Sequence, residues 1–206
     1  MRSWLLTNTT YGTRLPGDAR GSVTSVRDLR AGEAPSGVRR EHDLPGEPCE
    51  DAIPGLYRSA RELMTGPPFL LDRTHAEVLL AQFRETAAYR RWVLRAVAIM
   101  VNHFHVVVQV PDDPDPRRIL ADFKSYGTRA LNRRYGIPPS DTWWTTNGSK
   151  RKLKDDEALA AATRYVLFKQ PDPLVVWSPE SDVPGAHTRV IAFSTSSRGT
   201  VAKLLA

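Results

Sequence analysis

Residues 99–110 read Ile99-Met100-Val101-Asn102-His103-Phe104-His105-Val106-Val107-Val108-Gln109-Val110. A period of two runs through the second half and makes it a strand: Phe104, Val106, Val108 and Val110 share an apolar face, while His103 and His105 share the other. The Val- and Ile-rich run 91–100 before it reads as a partner strand, with Val101-Asn102 as the tight connection of an antiparallel hairpin. Two neutral imidazoles at i and i+2 on a rigid strand supply half of a metal's coordination shell without a flexible loop. By itself the pattern fits equally well a half-buried strand whose polar side carries two histidines. The flanking segments have to decide between them.

Towards the N-terminus, residues 72–89 read as a helix, with Asp72 as cap and Val78, Leu79, Ala81, Gln82 and Phe83 in its first apolar turns. A shorter helix is expected near 57–64, and residues 4–9 read as a short strand. Between them residues 10–55 are rich in Gly, Pro, Asp and Arg without a sustained period, an irregular insertion that extends over about 10–68. Towards the C-terminus, a proline-punctuated start near Pro116 leads into a helix ending at about Arg134, with Ile119, Phe123, Tyr126 and Ala130 in one stripe and Gly136 as its stop. Arg117, Arg118, Lys124, Arg129, Arg133 and Arg134 cover its other sides. They suit sequence-independent phosphate contacts, although a merely solvated basic helix has the same appearance.

The stretch 143–153 carries Asn147-Gly148, a β-turn signal, between two short strands, with Lys150, Arg151 and Lys152 on the second. Trp143 and Trp144 suit base stacking or core packing there. A last helix fits 155–169, opened by Asp155, Asp156 and Glu157 as the helix dipole favours. Its stripe is Leu159, Ala162 and Val166, and Tyr165 falls at the stripe's edge beside Ala158 and Ala161. Residues 178–206 form a polar, small-residue-rich tail.

With 206 residues the chain has room for one domain, here residues 1–177. A net charge of +6, from 29 basic against 23 acidic side chains, favours polyanionic partners. The single cysteine, Cys49, excludes an internal disulfide and a thiolate metal cluster. No apolar run is long enough to span a bilayer, and a soluble, cytoplasmic protein is the expectation.

The order strand, helix, strand, histidine strand, basic helix, short strands and tyrosine helix resembles the HUH-type single-tyrosine transposases, including the REP-associated tyrosine transposases. The resemblance is carried by Met100-Val101-Asn102-His103-Phe104-His105, by Phe123-Lys124-Ser125-Tyr126 and by Leu131-Asn132-Arg133-Arg134-Tyr135-Gly136. Trp144, Gly148-Ser149 and Arg164-Tyr165-Val166 follow in the same order. Thr10-Tyr11-Gly12-Thr13 and Leu15-Pro16-Gly17-Asp18 look like the entrance loop of one branch of the family. The resemblance covers roughly residues 3–177, the insertion before Pro68 matching poorly.

It implies an α+β, ferredoxin-like antiparallel sheet with helices on one face, plus a C-terminal helix carrying the tyrosine. It also implies a homodimer that cuts and rejoins single-stranded DNA near hairpins with a divalent metal, Mg²⁺ or Mn²⁺. By position His103 and His105 are metal ligands and Tyr165 is the nucleophile. The family's third ligand, Gln or Asn, lies one helical turn after the tyrosine, where this chain has Lys169. Gln170 follows one residue later and reaches the metal if the helix loosens before Pro171; otherwise water, DNA or another side chain completes the set. Val101 replaces a proline common in the family.

A free phenol, with a pKa of about 10, must lose its proton during attack on phosphorus. The product is a 5′-phosphotyrosine that a 3′-hydroxyl can reverse without ATP, and no P-loop or GxGxxG motif points to a nucleotide cofactor. A histidine-dependent phosphoesterase would need a further alternating histidine, yet Val107 holds that place, and His42, His75 and His187 lie in unrelated contexts. A replication initiator or relaxase usually brings regions for which 206 residues leave little room. The other class is a non-catalytic nucleic-acid-binding descendant of a transposase. Tyr126 and Tyr135 are the competing nucleophile candidates, although Tyr126 shares the apolar stripe with Phe123 and Ala130 and is better read as packing.

Overall fold

The computed structural model describes residues 1–20 and 52–182; Cys49, His42, His187 and the greater part of the tail lie outside the described residues. Five strands form one sheet: β1 (Arg2–Thr9), β2 (Val93–Ile99), β3 (His103–Val110), β4 (Ser149–Leu153) and β5 (Val175–Trp177). Their order is β4-β1-β3-β2-β5 and every pairing is antiparallel. Helix α1 (Pro54–Glu62) lies near the start, α2 (Arg73–Tyr89) joins β1 to β2, α3 (Pro116–Tyr135) joins β3 to β4, and α4 (Asp156–Phe168) follows β4. Two interleaved β-α-β crossovers, each leaving room for one strand between its ends, give the ferredoxin-like α+β arrangement.

The helix ends follow from local chemistry. Asp72 accepts from the His75 backbone N–H at 2.8 Å, while the His75 ring faces the Asp72 N–H in a reciprocal cap. Asp115 and Asp155 cap α3 and α4 by accepting from Arg117 and Ala158. Each such cap stabilises its helix by about 1 kcal/mol. Gly136, at φ +81, ends α3 in a conformation that side chains disfavour.

The sheet separates two cores. On one face Leu6, Val97, Phe104, Val106 and Val108 pack against Leu79 and Phe83 of α2 and Ile119, Phe123 and Leu131 of α3. On the other Leu5, Ala96, Ala98, Met100 and Val107 meet Ala162 and Val166 of α4. Small side chains on that second face let α4 lie close to the strands. A bulge between Leu94 and Ala96 turns both Leu94 and Val97 towards the α2–α3 core. The β2–β3 hairpin closes with Met100 N–H on the His103 carbonyl, and Val101-Asn102 are its two loop residues.

Three expectations need correction. Residues 143–153 are not a hairpin: Trp144 bridges Thr10, and β4 pairs with β1, so both halves run along the same strand edge. Gly148 serves a close approach instead of a turn, since a Cβ there would stand 2.6 Å from the Asn8 Oδ1 and from the Thr7 carbonyl oxygen. Neither tryptophan is available for stacking. Trp143 and Trp144 are buried, with their indole N–H groups on Asn132 Oδ1 and Thr128 Oγ1. Tyr126 is only half-buried, carries Arg129 over its ring, and does not continue the buried stripe of α3, which instead passes through Gly127 against Leu79 and Phe83. Strand β5 was not anticipated, because three residues are too few for a period to declare itself.

Candidate active site

The hairpin and α4 together build the site. Register pairs His105 with Thr7 and His103 with Thr9, so both rings stand on the sheet face that α4 covers. Their centroids are 5.0 Å apart at an interplanar angle of 85°. His105 is buried. Its Nδ1 lies 2.6 Å from Thr7 Oγ1, and the Nδ1 of His103 lies 2.6 Å from Asn102 Oδ1.

Burial holds both rings neutral. It pushes His103 down to about 4, with the positive Arg14 adding to the effect. His105 falls to about 3, through burial first and the neighbouring His103 second, against a hydrogen bond with Gln170 that acts the other way. A neutral imidazole is the form that binds a metal.

Helix α4 brings the remaining groups. The Tyr165 ring meets the His105 ring edge-on, centroids 5.6 Å apart, and 44% of the residue is exposed. The helix ends at Phe168, and Lys169 leaves helical geometry at φ −116 and ψ 8. That early end frees Gln170 from the 100° step of a regular helix. Its Nε2 donates to the Tyr165 carbonyl at 3.1 Å, and its side chain stands within hydrogen-bonding reach of the His105 ring. Lys169 itself is exposed, its backbone N–H also on the Tyr165 carbonyl.

The donor set fits a divalent cation in kind: two neutral imidazoles and one amide oxygen, a combination of nitrogen and oxygen that suits Mn²⁺ better than Mg²⁺. Among the described residues no group of three or more His, Cys, Asp or Glu side chains is arranged for a metal. The amides beside the two rings are Asn102 at His103 and Gln170 at His105.

The basic residues divide between faces. Arg151 lies opposite Leu5 on the histidine side of the sheet, with Ser149 opposite Thr7. Lys150 and Lys152 lie opposite Leu6 and Trp4 on the other side; Lys150 donates to the Gly148 carbonyl and Lys152 sits over the Trp4 ring. Arg117 and Arg118 are exposed at the start of α3, away from the histidines. Further along, Arg129 covers Tyr126, Arg133 reaches Gln82, and Arg134 covers Tyr135. Lys124 is committed elsewhere: its ammonium donates to the carbonyls of Thr145 and Thr146, and burial lowers it to about 8.

Sequence reasoning did not identify Thr7, Asn102 or Arg14 as site residues. Asn102 adjoins the histidines and was accessible to inspection. Thr7 depends on the register between strands almost a hundred residues apart, which no local pattern states.

Residues 69–152 match the family model described as IS200-like transposase. No curated protein matches the chain. Among solved structures it is similar to the REP-associated tyrosine transposase bound to a REP hairpin, with a TM-score of 0.42 and 11% identity over 80% of this chain. The chain spans 64% of that protein's length. No helix among the described residues is long and apolar enough to cross a membrane.

Proposed function

We propose, from the match of residues 69–152 to the IS200-like transposase family model, that this chain is a transposase of that kind and cuts and rejoins single-stranded DNA through Tyr165. The observation that carries the proposal is the Tyr165 ring, half open to solvent, 5.6 Å from the ring of His105 within one chain. His103, His105 and Gln170 would hold the cation. When bound, it supplies Lewis acidity to the scissile phosphate and to the departing oxygen.

Tyr165 gives up its phenolic proton as its oxygen bonds to phosphorus. The P–O3′ bond breaks and the leaving oxygen takes up a proton. One ester replaces another, so a 3′-hydroxyl reverses the step and no nucleotide cofactor is spent. Arg151 lies on the reacting face and suits the strand's phosphates. The basic side of α3, together with Lys150 and Lys152, suits more distant parts of a hairpin. The proposal extends to a homodimer acting in the cytoplasm.

The test is incubation with a labelled single-stranded hairpin and Mn²⁺. A denaturation-resistant protein–DNA adduct, lost in Tyr165→Phe and mapped to the Tyr165 peptide, supports the enzyme. Binding without an adduct assigns the chain to the non-catalytic alternative.

A further inference from the structure

Asn102 has two functional groups facing opposite tasks. Its side-chain Oδ1 lies 2.6 Å from the Nδ1 of His103. Its main-chain carbonyl accepts from the Thr10 N–H at 2.9 Å and from the Thr10 hydroxyl at 3.1 Å, with the Thr13 hydroxyl 3.3 Å away. A carbonyl has two acceptor directions, and Thr13 makes its shorter contact, 2.9 Å, with the Thr10 carbonyl. Thr10 therefore supplies the two bonds and Thr13 braces Thr10. Both threonines are buried, at 0% and 7% exposure.

The loop that carries them is tied down in turn. Asp18 and Arg20 form an ion pair, and the same guanidinium donates to the Thr13 carbonyl at 3.1 Å. The two-residue turn Val101-Asn102 is thus clamped from outside the hairpin, with the Leu71 N–H on the Val101 carbonyl at 2.7 Å as a further tie.

An amide oxygen only accepts hydrogen bonds. The hydrogen between Asn102 and His103 consequently belongs to Nδ1, and a neutral ring protonated there carries its lone pair on Nε2. We infer that Asn102 is the positioning residue of His103: it selects the Nδ1–H tautomer and, held by Thr10, keeps Nε2 free for a ligand beside the His105 ring. This inference rests on the metal-dependent function proposed above. Ligand histidines commonly have such a partner, whose loss weakens metal affinity by roughly 10- to 100-fold.

The experiment compares wild type, Asn102→Ala and Asn102→Asp, with two readouts. Histidine-ring ¹⁵N spectra of the metal-free proteins at pH 7 report the tautomer, and calorimetric titration with Mn²⁺ reports affinity. Wild type should show His103 as Nδ1–H. Asn102→Ala should lose that preference and bind Mn²⁺ about 10- to 100-fold more weakly, while Asn102→Asp, which retains an acceptor oxygen, should keep both. A wild-type His103 protonated on Nε2, or an Asn102→Ala affinity equal to wild type, overturns the inference. Should Asn102→Ala fail to fold, the wild-type tautomer and the Asn102→Asp titration still decide. Failure of wild type to bind Mn²⁺, with the Nδ1–H tautomer present, counts against the metal-dependent function and leaves the positioning role of Asn102 intact.

Discussion

The ring of Tyr165 stands edge-on to the ring of His105, with centroids 5.6 Å apart and planes at 67°, across the junction between α4 and the sheet. Tyr165 is part of neither core. Tyr165 is 44% exposed, whereas its helix neighbours Ala162 and Val166 are buried. Replacing it with Phe should leave folding stability within about 0.5 kcal/mol, as for surface substitutions generally. Covalent adduct formation should disappear altogether. Denaturant unfolding and a gel for protein-linked DNA measure the two sides; a clear loss of stability, or a persisting adduct, contradicts the assignment.

Gln170 and Lys169 make a matched pair of tests, one turned into the site and one turned out. Gln170→Ala removes the amide that touches His105 and should weaken Mn²⁺ binding by about tenfold or more, a loss of the order seen when supporting groups of a metal site are removed. Lys169→Ala should leave the affinity unchanged. Equal effects from the two would mean that α4 does not end as described.

The imidazoles set the response to acid. Folding lowers His103 from 6.5 to about 4 and His105 to about 3, so the unfolded chain binds protons more readily than the native one. Stability from the neutral rings is complete above the unfolded value of about 6.5 and is lost as pH falls through 4 and then 3. Protons should begin to compete with a metal only near those lower values. Mn²⁺ affinity followed calorimetrically is expected to stay flat from pH 8 to about 5. A steep decline beginning just below 6.5 would show ordinary, solvated histidines.

Gly148 offers a mechanical test. Ala there would press its Cβ against the Asn8 side chain and the Thr7 carbonyl, both 2.6 Å away, and should cost about 1–3 kcal/mol by overpacking. Because Thr7 holds His105, the same change should also weaken Mn²⁺ binding. Gly55→Ala, with nothing within 4 Å of the added atom, is the control and should be neutral or slightly stabilising. Urea unfolding midpoints distinguish the two.

Charge removal should separate the faces. Arg129→Ala and Arg134→Ala on α3 should each reduce the salt dependence of DNA binding by about one phosphate contact and spare the rate of adduct formation from saturated complexes. Arg151→Ala, on the histidine side, should lower that rate as well. Single-turnover kinetics at saturating DNA are the measurement, and a rate loss confined to the α3 variants would reverse the proposed path of the strand.

The fold was legible wherever chemistry repeats locally. Alternation along 103–110, the cap Asp72, the proline start near Pro116, the acidic opening of α4 and the stop at Gly136 all declare their elements without reference to distant residues. What stayed hidden depended on pairing between remote segments. Asn147-Gly148 carries a hairpin signal, yet β1 offers a longer edge and takes both flanks, so tertiary pairing overrode the turn. In the site, His103, His105 and Tyr165 could be named from spacing and resemblance. Whether Gln170 approaches them depended on where α4 ends, since one further regular turn would have carried it away. Lys124 was read as a phosphate contact because it is basic and helical; only the positions of Thr145 and Thr146 reveal that its charge is already engaged.

A β-sheet's thickness stands between the face that carries Tyr165, His103 and His105 and the face that carries α3. Substitutions on the outer surface of that helix have no direct route to the imidazoles. On the proposed function, lineages can therefore revise how the molecule grips a polyanion without retuning its reactivity, and an engineer can graft a new address onto α3 while the machinery beneath keeps its settings.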